Sequence, residues 1–199
     1  MTTNYLNKYM EPVANKQIEL LDEYIKQDLI NNRIKLEEVY KNGTLLSVTY
    51  FLDSEENVVE IKSRFKEIPI ELYKNEVIQG NYRKYDVESF NLDGTLVSRS
   101  IEVLNDDMNL IYRKSFNIET NDVIYFEKQY IDVENDVTYE FTYNEDGTFK
   151  WLSLLDPLAF VDTDVHGFGP NDIGIDKNPY KFSWEGFEYY QFANPIIPE

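Results

Sequence analysis

From Asn81 to Ser153 apolar and polar residues alternate with a period of two, and short clusters of Asn, Asp and Gly interrupt the alternation. The pattern predicts six antiparallel strands: Tyr82 to Phe90, Thr95 to Leu104, Met108 to Phe116, Val123 to Ile131, Val137 to Tyr143 and Thr148 to Ser153. Asp-Gly between two such runs is a hairpin signal, because Gly and Asn or Asp tolerate the positive φ that tight turns need. Val137, Tyr139, Phe141 and Tyr143 share one face while Thr138, Glu140 and Thr142 share the other, the mark of a sheet with one buried and one wet side. Val123 to Phe126 is apolar on both faces and reads as a central strand.

Before this stretch the period changes twice. Ile18, Leu21, Ile25 and Leu29 recur at three- and four-residue spacing behind Pro12, which predicts one amphipathic helix ending at Asn31-Asn32. From Arg33 the period returns to two. Ile34 and Leu36, then Leu46, Val48, Tyr50 and Leu52, then Val59, Ile61, Ser63 and Phe65 read as three strands, with Lys41-Asn42-Gly43 as a hairpin turn. Lys62, Arg64 and Lys66 would share one face of the third. Glu67 to Gln79 holds Pro69 and shows no period, which reads as a connection and a possible seam. From Asp156 onward Gly and Pro recur among Trp184, Tyr189, Tyr190 and Phe192, aromatics that need burial and so predict a wrap over the sheet.

The expected fold is therefore mainly β, of the α+β kind. An N-terminal helix (1–32) packs on a large twisted antiparallel meander (33–155), and a loop-rich wrap (156–199) completes a single domain of 199 residues.

Three turns repeat a motif, Asn42-Gly43-Thr44, Asp93-Gly94-Thr95 and Asp146-Gly147-Thr148, with glycines 51 and 53 residues apart. Phe141-Thr142-Tyr143-Asn144-Glu145-Asp146-Gly147-Thr148 resembles the tyrosine/aspartate hairpin repeats of bacterial toxin shells, and Tyr40 to Leu45 is similar to the Asn-Gly hairpins of MORN-like bacterial repeats. Each resemblance implies hairpins only and carries no activity.

Composition narrows the partners. A hydrophobic content of 42% excludes a disordered chain, while a net charge of −18 disfavours nucleic acid and anionic membrane and favours cationic proteins. The absence of Cys removes disulfides and thiolate chemistry. No signal-peptide core opens the chain and no stretch is long enough to span a membrane as a helix, so a cytoplasmic, bacterial-type location is expected.

Successive turns of a meander alternate between its two ends, which places Asp106 and Asp107 beside Asp132, Glu134 and Asp136 in one acidic rim. Clustered charge of one sign speeds encounter with an oppositely charged partner. That rim predicts a non-enzymatic module binding a basic protein, such as an immunity protein neutralising a toxin nuclease; solvated turn tips are the plainer reading. No cofactor is expected. Two alternatives remain open. Asp162, Asp164 and His166, the only histidine, could hold a divalent metal for hydrolysis, although a calcium loop would need Glu where Ile173 stands. Trp151 and Trp184 with nearby tyrosines could bind carbohydrate.

Overall fold

The computed structural model describes residues 1–135, 137–155, 167–174, 176–177 and 181–198. Two compact units divide the chain: Met1–Glu76 with Tyr85–Arg99, and Val77–Lys84 with Ser100–Glu199.

The first unit opens with strand β1 (Thr2–Asn7), a 3-10 turn at Asn15–Leu20 and strand β2 (Glu23–Ile30), so the expected N-terminal helix is not formed. Ile25 and Leu29 fit period two as well as period 3.6, and β2 completes a backbone ladder with β1 on one side and β3 (Arg33–Lys41) on the other. Asn31 and Asn32 do adopt left-handed backbone, with φ of 53° and 62°, but as the two-residue turn that joins Ile30 to Arg33. A left-handed pair ends a helix or closes a hairpin equally well. Cross-strand pairing decides here. The same chemistry at Asn42 and Gly43 (φ 49° and 75°) joins β3 to β4 (Thr44–Phe51).

Val58–Arg64, expected as a strand, is helix α1. The Asn57 side chain accepts from the Val59 N–H at 2.8 Å and caps its first turn, while Lys62 and Arg64 lie in the last turn, where the helix dipole favours cations. Val58, Ile61 and Phe65 supply the buried stripe, whereas Val59 is 70% exposed. Lys62, Arg64 and Lys66 therefore share no strand face. Lys62 lies over the Phe90 ring, Arg64 over Tyr50 and Phe65, and Lys66 is exposed.

The segment expected as a connection is instead β5 (Ile70–Gln79), whose Val48↔Ile70 to Phe51↔Tyr73 register with β4 is parallel. A parallel pair needs a long crossover, which α1 provides. The sheet is accordingly mixed rather than a pure antiparallel meander. Leu36, Val48, Tyr50, Ile61, Ile70, Leu72 and Phe90 form the core of this unit. Lys35 holds the loop ahead of α1 by donating to Asp53 at 2.7 Å and to Glu56, which also accepts from the Tyr50 hydroxyl at 2.6 Å. Burial would push the Glu56 carboxyl up, but these hydrogen bonds hold it below its ordinary value.

Strands β6 (Tyr82–Phe90) and β7 (Leu96–Asn105) are shared between the units, as is β5, and the twelve strands neighbour one another in sequence order. The second unit adds β8 (Leu110–Phe116), β9 (Val123–Asp132), β10 (Val137–Tyr143), β11 (Phe149–Leu155) and the short β12 (Gly167–Phe168). Antiparallel registers Tyr112↔Lys128, Phe141↔Lys128 and Phe141↔Leu152 align β8 to β11. On the face these residues share, Val103, Tyr112, Phe126, Phe141, Tyr143 and Leu152 are buried against Phe182, Trp184, Phe187 and Tyr190 of the C-terminal segment. The Phe141 ring stacks on Tyr190 at 4.6 Å and lies 5.9 Å from Phe182.

At β12 the Trp151 indole lies flat against the backbone of Gly167, where an added Cβ would come within 2.1 Å of the ring. Gly167→Ala must therefore displace Trp151. The expected result is a red shift of tryptophan emission, and an unchanged spectrum would show that the backbone yields instead.

Candidate functional site

The acidic turns lie in the second unit. Asp106 and Asp107 occupy the turn between β7 and β8, Asp132 closes β9, and Glu134 follows in the turn to β10. Antiparallel registers Tyr112↔Lys128 and Val137↔Asp132 put both turns at the same strand end. Asp136 lies outside the described residues.

Local chemistry shapes each turn. The Asn105 side chain accepts from the Asp107 and Asn109 N–H groups at 3.1 and 2.9 Å, and Met108 takes positive φ (64°). Asp132 accepts from the side chain of Asn135 at 2.8 Å and from its N–H at 3.1 Å, bonds that hold its carboxyl below the ordinary value. Asp106 accepts from Arg83 at 3.1 Å, which offsets part of its charge. Asp106, Asp107 and Glu134 are exposed.

Further along the same strands is a set of charged residues that the sequence reading missed. Glu102 on β7 and Glu127 on β9 keep only 3% and 4% of their side chains exposed. Arg113 on β8 stands between them, 2.8 Å from Glu102 and 3.8 Å from Glu127. Ser100 donates to Glu102 at 3.1 Å, and Gln129 donates to Glu127. Glu140 on β10 accepts from the Tyr125 hydroxyl at 3.5 Å; burial pushes its carboxyl up and the charge of Glu127 adds to the shift. Burial likewise raises the Tyr125 hydroxyl, with Glu127 and Glu140 adding to it. Glu102 and Glu127 thus flank the Arg113 guanidinium, and of the carboxyls here Glu140 is the one raised. The available signal was an acid in the middle of each of three strands, at the parity of the wet face. Only the register shows that Arg113 joins them.

A second missed residue is Lys128, on the apolar face of β9 between Phe126 and Tyr130 and wholly buried.

The other sequence candidates stand apart. Asp162, Asp164 and His166 lie outside the described residues, and among the described residues no three His, Cys, Asp or Glu are placed to hold a metal. Trp184 packs into the aromatic core, 5.0 Å from Phe149 and 5.4 Å from Phe182, while Trp151 is 42% exposed. The two indoles do not form a common exposed platform. Among the described residues no helix is long and apolar enough to cross a membrane. Comparison with protein-family models, with curated proteins and with solved structures gives no match to this chain.

Proposed function

We propose that this chain is a non-enzymatic binding module for a basic protein, most concretely an inhibitor that neutralises a basic bacterial toxin such as a nuclease. The observation that carries the reading is the distribution of charge. The second unit holds 20 of the 37 acidic residues but only 8 of the 19 basic ones, a net charge of −12 against −6 in the first. Of those eight, Lys128 is buried, and Arg83 and Arg113 are bonded to Asp106 and Glu102. Carboxylates of two neighbouring turns then face solvent at one strand end, where they would meet a site built for phosphate. Charge at a rim acts mainly on the rate of encounter.

Replacing Asp106, Asp107 and Asp132 with Asn and Glu134 with Gln should slow association with a small basic nuclease by roughly tenfold or more at low salt. Stopped-flow mixing over a salt series measures it, and the variant should also lose most of the salt dependence. An association rate indifferent to both salt and the four substitutions would defeat the proposal. Asn at position 132 still accepts from the Asn135 N–H, so the turn survives the test.

A further inference from the structure

The side chain of Lys128 enters the core of the second unit from the middle of β9 and has no accessible surface. Its ammonium nitrogen donates to two backbone carbonyls, Tyr189 at 2.7 Å and Phe192 at 2.8 Å, and lies 3.5 Å from the centre of the Tyr189 ring. All three contacts come from the segment Glu188–Pro198. Among the described residues no carboxylate is a partner of it. The groups facing it are Tyr112 and Lys114 from β8, Tyr143 from β10, and Tyr189 and Tyr190 from the segment itself, with Tyr82 of β6 beyond Tyr189. Burial pushes the hydroxyls of Tyr112, Tyr143, Tyr189 and Tyr190 upward, so they stay neutral and supply no countercharge.

The Tyr190 ring of the segment stacks on Phe141 and Ala193 is buried, but among the described residues its hydrogen bonds to the sheet are few. Ala193 N–H donates to Gly147 O at 2.9 Å, Phe192 bridges Thr148, and the Tyr143 hydroxyl donates to Tyr190 O at 2.8 Å. The strands on either side of Lys128 are held instead by continuous ladders. A neutral amine has two N–H bonds, which matches the two carbonyls. A charged one in an apolar site without a countercharge must reach water. Its least costly route lies through the segment that covers it.

We propose that Glu188–Pro198 is a detachable strap latched by Lys128, docked while that side chain is uncharged and released when it takes a proton. Burial brings the Lys128 ammonium down to about 7, so the sheet-bound amine gains its proton near neutrality, while in an opened strap it would ionise as a solvated lysine does. Between those limits each unit of falling pH favours opening about tenfold, and the effect levels off below the lower one.

Amide hydrogen exchange on the full chain, corrected for intrinsic exchange rates, tests the latch. The protection of the Ala193 amide should rise about fiftyfold from pH 7 to pH 9 while staying below that of the Phe141 and Leu152 amides at each pH. Lys128→Met should abolish that pH dependence, and Tyr143→Phe should weaken protection of the strap yet keep it. A strap protection that does not vary with pH in the unmodified chain would overturn the proposal, whether or not the variants fold. Equal protection at Ala193, Phe141 and Leu152 at every pH would overturn it too, because it would mean that the unit opens only as a whole.

Discussion

The unfolding free energy of the second unit will climb by roughly 2 kcal/mol between pH 7 and pH 9, and Lys128→Met will flatten the rise. The folded unit holds Lys128 with its ammonium lowered to about 7, against 10.5 for a solvated lysine. Across that interval the unfolded chain binds the proton and the folded chain does not. The Lys128 contribution therefore rises with pH from about 7 and would level off near 10.5. The raised tyrosines, Tyr112 at about 12 among them, keep their protons when folded and withdraw stability as pH nears their unfolded value of 10, so the rise gives way above about pH 9. Glu140, raised from 4.5, contributes stability on the acid side that is lost as pH climbs through its folded value. Denaturant titrations at a series of pH values measure the slope. A flat profile from pH 7 to pH 9 in the unmodified chain would mean that water or a carboxylate reaches Lys128. Lys128→Met leaves the Tyr189 and Phe192 carbonyls without their donor, so its gain from removing the buried amine is partly offset.

Arg113→Ala will destabilise the second unit by about 1 to 3 kcal/mol at neutral pH. The guanidinium stands between two buried carboxylates, Glu102 and Glu127, and its loss takes from Glu127 the cation beside it. Removing one member of a buried ionic set costs far more than the set contributes, because the remaining charge has no compensation. One accompanying result identifies the cause: Glu127→Gln added to Arg113→Ala should recover part of the loss. A single substitution costing less than about 1 kcal/mol would show that water already solvates the cluster.

Several elements were legible from local pattern. The strands from Tyr82 onward and their Asn, Asp and Gly turns are specified within a few residues of themselves, by alternation and by tolerance of positive φ at Gly94 and Gly147. What failed were segments whose pattern serves two structures. Ile25 and Leu29 satisfy a helical stripe and a strand face alike; Val59 to Phe65 satisfies both again, and there the Asn57 cap and the burial of Ile61 select the helix. Ile70 to Gln79 gave no usable period, since its first half is buried and its second half exposed. That Asp106, Asp107, Asp132 and Glu134 lie in two turns at one strand end followed from turn alternation alone. Glu102, Arg113, Glu127 and Lys128 could not be grouped, because their relation depends on cross-strand register.

By itself the sequence determined a mainly β chain, the hairpins of its second half and the sign of its charge, since each follows from composition or from neighbours along the chain. Tertiary structure alone decided which ambiguous segments became strand or helix, that β4 and β5 run parallel, and which charged groups were buried together. Those outcomes depend on the free energy of contacts between residues far apart in sequence: Lys128 and Phe192 are 64 positions apart yet separated by one hydrogen bond. Local propensity, worth at most about 1 kcal/mol per residue, does not encode such a contact and yields where burial and cross-strand pairing contribute more.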